Sequence, residues 1–129
     1  MMRIGFLPSD FNPMILMLGD AEDFRALGGV MRGFFRKPED MRIDRMGFCA
    51  SSNTGLTLTA SGGPHGIHAG PDGLMWRIDA ALASLFAGQM DTLADPGTLS
   101  GAEFLLCSTK DEIPVKLSRG EYTDDFLTP

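Results

Sequence analysis

The chain predicts an α+β fold: an antiparallel or mixed sheet with two helices on one face. Three observations predict it. Two stretches place apolar residues at helical spacing. Short apolar or alternating runs separate them. Gly-, Asn-, Asp- and Ser-rich clusters punctuate the boundaries.

Pro13 to Leu18 is a short apolar run and reads as a buried strand. Asp20 is a good helix N-cap, and Asp23 adds negative charge in the first turn. Phe24, Leu27, Met31, Phe34 and Phe35 then recur at helical spacing, so 21–37 reads as an amphipathic helix that Pro38 stops. Gly28, Gly29 and Gly33 weaken it by about 1 kcal/mol each against alanine, and suit a close approach to a neighbouring backbone.

Residues 42–50 and 55–60 read as the two strands of a hairpin around the turn cluster Ser51–Gly55. Residues 62–73 form a Gly-rich loop that holds both histidines. Residues 74–78 match a strand, and also match a helix running on from Pro71; the strand is favoured. With Asp79 as cap, a helix follows to about Ala94, placing Leu82, Leu85, Phe86, Met90 and Leu93 on one face. Residues 102–107 and 113–118 read as two further strands, the second at an edge because of Pro114. The tail 120–129 is acidic with scattered apolar residues.

At 129 residues, with 43% hydrophobic and 22% charged side chains, the chain fits one domain, 1–129, able to bury a core without disulfides. The halves 13–61 and 73–119, joined by the Gly-rich loop, share a strand–helix–strand–strand order and suggest a tandem duplication. A shift of 59 aligns Asp20 with Asp79, Leu27 with Phe86, Met31 with Met90 and Phe34 with Leu93. A shift of 58 brings Cys49 onto Cys107, and one further gap brings Leu56 and Leu58 onto Ile113 and Val115.

No apolar run is long enough to span a bilayer and no secretory leader is evident, so the chain reads as cytoplasmic, with no membrane partner. Cys49 and Cys107 read as reduced, buried, small hydrophobes. The net charge of −6 argues against nonspecific nucleic-acid binding. The charge is uneven: 24–45 carry +3 and the remainder −9.

Chemistry is suggested in two places. His65, His68 and Asp72 offer imidazole and carboxylate ligands for a divalent metal such as Zn or Fe. Arg25, Arg32 and Arg36 form a stripe on the first helix, suited to docking an anion or a partner, with Glu121–Asp125 as an intermolecular mate. No phosphate loop, dinucleotide fingerprint, nucleophile elbow or His-Glu-x-x-His occurs, so no catalytic residue is named and no cofactor is implied beyond that metal. The abundant Met and Phe suggest that some of them lie at a dimer contact or ligand groove. The sequence therefore predicts a small binding or regulatory domain, working as a homodimer and holding a partner or a small molecule. The alternatives are a small, metal-dependent enzyme built on His65 and His68, or a structural subunit of a larger assembly.

Overall fold

Asp20 and Asp79 open the two helices in the same way. Both N-caps are extended, with φ/ψ of −102/−175° and −102/−177°. Asp20 Oδ1 accepts the Asp23 N–H at 3.0 Å, and Asp79 Oδ1 accepts the Leu82 N–H at 2.8 Å. Asp23 returns the bond from Asp20 N–H, closing a capping box. The backbone N–H of Asp23 holds the Asp20 carboxyl below its ordinary pKa.

The computed structural model describes residues 1–8, 12–71, 73–97 and 100–120. In chain order these form β1 (Met2–Leu7), β2 (Met14–Leu18), α1 (Ala21–Arg36), β3 (Met41–Arg42), a 3-10 turn (Ile43–Arg45), β4 (Cys49–Ser52), β5 (Leu56–Thr59), β6 (Gly66–Gly70), β7 (Gly73–Arg77), α2 (Ala80–Ala94), β8 (Gly101–Leu105) and β9 (Val115–Arg119). The class is α+β, as the sequence predicts, but the strands divide between two mixed sheets. One has the order β4-β1-β2-β9-β8, the other β3-β5-β7-β6. No helix among the described residues is long and apolar enough to cross a membrane.

Several expectations need correcting. The hairpin of 42–50 with 55–60 does not form. β4 pairs in parallel with β1 in one sheet, while β5 takes β3 as its antiparallel partner in the other. Asp44 explains the split. Its carboxylate accepts Arg42 Nε at 2.9 Å, Arg42 Nη2 at 2.7 Å and the Leu56 N–H at 2.9 Å, so the 3-10 turn is tied to β5 and the chain leaves for the other sheet. Burial alone would raise the Asp44 pKa, but the Arg42 and Leu56 bonds outweigh it and hold the carboxyl below the ordinary value.

β1, unassigned from sequence, supplies the edge that β4 joins. Residues 73–77 are a strand, which removes the helical alternative. Much of the expected Gly-rich loop is β6, antiparallel to β7. Glycine weakens strands, which hid it. β9 is not at an edge: it lies between β2 and β8. Pro114 just precedes it, where its missing N–H costs no rung and its carbonyl accepts the Ile15 N–H at 3.0 Å.

The two sheets share one pairing scheme. β2 and β9 run parallel with Ile15 opposite Val115 and Met17 opposite Leu117. β7 and β5 run parallel with Leu74 opposite Leu56 and Trp76 opposite Leu58. Adding 59 to the first partner and subtracting it from the second converts each rung of one pair into a rung of the other. The helices follow the same offset: Phe24, Leu27, Gly28, Met31 and Phe34 of α1 are buried, as are Ala83, Phe86, Ala87, Met90 and Leu93 of α2. The offset stays at 59 through β5 and β9, so Leu56 corresponds to Val115, not to Ile113 as the gapped alignment has it. Cys49 and Cys107 stand 58 residues apart, one short of that offset: Cys49 opens β4, between β3 and β5, and Cys107 lies between β8 and β9.

Each sheet thus joins strands of both halves, β4, β1 and β2 with β9 and β8 in one and β3 and β5 with β7 and β6 in the other, and the parallel pairs β2–β9 and β5–β7 are the seams. One core runs across them, built from Ile15, Met17, Leu56, Leu58, Trp76, Leu117 and the inner faces of both helices. Trp76 packs on Phe86 with ring centroids 5.9 Å apart.

Candidate functional site

The helices α1 and α2 pack antiparallel. Arg25, near the start of α1, reaches the Ala94 carbonyl at the end of α2, at 3.5 Å. Arg36, at the end of α1, shares a groove with Ser84, near the start of α2. Gly28 lies at the contact: a Cβ there would lie 3.3 Å from Arg32 Nη1, 3.5 Å from Asp91 Oδ1 and 3.7 Å from Met90 Cβ, leaving room for a methyl group but not for a larger side chain. The groove has a volume of about 610 Å³ and is lined by Arg32, Phe35, Arg36, Ser84, Ala87, Gly88 and Asp91.

The expected Arg stripe is divided by its partners. Arg25 pairs with Glu22, and Arg32 pairs with Asp91 across the two helices. Among the described residues Arg36 makes no ion pair or hydrogen bond, so its guanidinium stands free at the groove. Beside it Phe35 is 51% exposed, although helical spacing had placed it on the buried face. Leu85, also expected inside, is 58% exposed on α2. Met2, Met17 and Trp76 are buried, whereas Met1 is exposed. The acidic mate expected at 121–125 lies outside the described residues.

The histidines sit elsewhere. His68 is on β6, and His65 immediately precedes that strand. His68 Nε2 lies 3.1 Å from the His65 carbonyl oxygen and 3.3 Å from Thr109 Oγ1. A carbonyl oxygen only accepts, so Nε2 is the donor in that bond. Thr109 Oγ1 donates to the same carbonyl at 2.5 Å. These bonds staple the β6 hairpin to residues 107–112. Asp72, the third expected ligand, lies outside the described residues. Among the described residues no three His, Cys, Asp or Glu side chains converge in a way that could hold a metal ion.

Glu112 organises the facing loop. Its carboxylate accepts the N–H groups of Cys107, Ser108 and Thr109, at 2.6, 2.8 and 3.3 Å. Ser108 and Asp111 adopt φ of 62° and 61°, a region costly for non-glycine residues, and the three bonds to Glu112 stabilise the turn. Cys107 is half-buried here. Burial first, then the charge and hydrogen bond of Glu112 and the charge of Asp79, push its thiol pKa up to about 12. The thiol therefore stays protonated at neutral pH and is a poor nucleophile. Arg77 Nε is buried against Gly63 and has no hydrogen-bond partner among the described residues.

Sequence reasoning named Arg32 and Arg36 but missed Asp91 and Gly88 across the groove, and missed Glu112 and Thr109 beside the histidines. A signal for Asp91 existed, because Arg32 and Asp91 stand at the same 59-residue offset that aligns the two N-caps. Glu112 had no such signal, since its role comes from loop geometry. Compared with family models, with curated proteins and with solved structures, the chain matches none.

Proposed function

We propose that this chain is a non-catalytic binding domain that works as a homo-oligomer and holds a small apolar anion in the groove between α1 and α2. The observation that carries this reading is the free Arg36 guanidinium beside the exposed Phe35 ring, in a groove of about 610 Å³. That volume falls within the usual range for small-molecule sites. Arg36 supplies a fork for a carboxylate or sulfonate. Phe35, Ala87 and Gly88 supply apolar surface, and the Arg32–Asp91 pair forms a neutral wall. The exposed Leu85 gives a second copy an apolar contact on the same layer.

The test uses 1-anilinonaphthalene-8-sulfonate, an aromatic anion, titrated into the native chain by fluorescence. Saturable binding that weakens by about five-fold or more in Arg36→Glu, with an unchanged circular dichroism spectrum, supports the reading. Equal binding by parent and variant removes it. Light scattering on Leu85→Lys tests the oligomer, with a drop in mass expected.

A further inference from the structure

The exposed linker Ala60–Pro64 is the only covalent bridge between the half bounded by β1 and β5 and the half bounded by β6 and β9. Everything else joining them is non-covalent: the parallel seams β2–β9 and β5–β7 and the helix pair. Both seams carry the same register at the same offset, and the helix contact places equivalent positions together. These are the features of an isologous dimer interface, in which one patch meets its own counterpart. We propose that the two halves are complementary modules of a dimer fused into one chain, so that the surface each presents fits the opposite half of a second copy of this chain. This does not depend on what the groove binds.

The pairing has a built-in selector. Arg32 and Asp91 occupy equivalent positions and form an ion pair between the helices. Pairing two first halves would set Arg32 against Arg32, and pairing two second halves would set Asp91 against Asp91. Like charges there disfavour both, so a first half selects a second half. The linker decides only whether that partner comes from the same chain. Thr59 and Gly66 both lie opposite Arg77, one on each side of β7. Residues 60–65 thus arch over the end of β7, across about 10 Å, or two strand spacings. Removing 61–64 leaves two residues, a reach of about 11 Å in a straight line that β7 obstructs. The shortened chain must then take its partner half from another copy.

The experiment refolds two full chains together, each lacking 61–64: a tagged Arg32→Asp chain and an untagged Asp91→Arg chain. Exchange of halves gives a heterodimer with one Arg32–Asp91 pair and one reversed pair, whereas each homodimer holds two like-charge contacts. Capture of the untagged chain by the tagged one in several-fold excess over the same pair with intact linkers is the expected result. Equal capture with and without the linker overturns the proposal. Should the shortened chains not fold, the full chain carrying a protease site between Gly62 and Gly63 decides, cut after folding. The proposal requires the two pieces to co-elute as one folded species, and their separation in native buffer overturns it.

Discussion

Arg32 and Asp91, 59 residues apart in sequence, bind each other from equivalent positions of the two helices. Both side chains are about half exposed, so solvent screens the pair and its worth is modest, about 0.5 to 1 kcal/mol. Arg32→Asp and Asp91→Arg should each cost about that much or slightly more, because each creates a like-charge contact. The double exchange should recover most of the loss. Urea unfolding of the four proteins provides the cycle, and strictly additive costs would show that the two residues do not interact.

The glycines of α1 divide by environment. A Cβ at Gly29 or Gly33 meets nothing within 4 Å, so neither position serves a close approach, unlike Gly28. Gly29→Ala and Gly33→Ala should each stabilise the chain by about 0.5 to 1 kcal/mol through helix propensity alone. Gly28→Leu should instead push the helices apart and cost about 1 to 3 kcal/mol. Thermal unfolding ranks the three variants, and a stabilised Gly28→Leu would contradict the packing described.

Gly66 is required on two counts. Its φ is +98°, and a Cβ there would lie 2.5 Å from Glu112 Oε2. Gly66→Ala would strain the backbone and displace the carboxylate that gathers three N–H groups. A loss of about 2 to 4 kcal/mol is expected, combining backbone strain with broken charge-assisted bonds. Hydrogen exchange should show Cys107, Ser108 and Thr109 losing protection before the rest. Uniform loss across the fold would mean that Glu112 is not the local organiser.

Cys107 sets an alkaline limit. Its folded pKa, about 12, exceeds the ordinary value of 9.0. A raised pKa means the unfolded chain releases this proton first. The associated stability is complete below pH 9 and is lost as pH rises from about 9 towards 12. Cys107→Ala should flatten that decline. At pH 8 only about one thiol in ten thousand is ionised, so alkylation by iodoacetamide should be far slower than for a denatured control. Fast modification of the native thiol would refute the buried, carboxylate-flanked environment.

Where local chemistry decides the structure, the sequence showed it: both helices, both N-caps and the strand after Gly73 follow from periodicity and capping residues. Where distant pairing decides, it did not. Leu56–Thr59 alternates like a hairpin strand, but nothing local says that its partners are Met41–Arg42 and a strand beyond Gly73. Phe35 and Leu85 fit the apolar stripe of an isolated helix, and only the antiparallel packing of two helices turns them outward. The groove is tertiary in the same sense: Arg36 was visible in sequence, whereas Ser84, Gly88 and Asp91 reach it only through that packing.

Asn53 finishes the edge of the larger sheet. Its side chain accepts the Phe6 N–H at 2.7 Å and donates to the Phe6 carbonyl at 3.2 Å, repeating with one amide the rung that a further strand residue would make. Beyond β4, β1 therefore offers no bare peptide group at Phe6 to an incoming chain, and unguarded edges are where folded proteins begin to stack into aggregates. One side chain thus closes the stretch of β1 that β4 leaves uncovered, and Asn53→Ala is a change whose first symptom would be turbidity at high concentration, not lost binding.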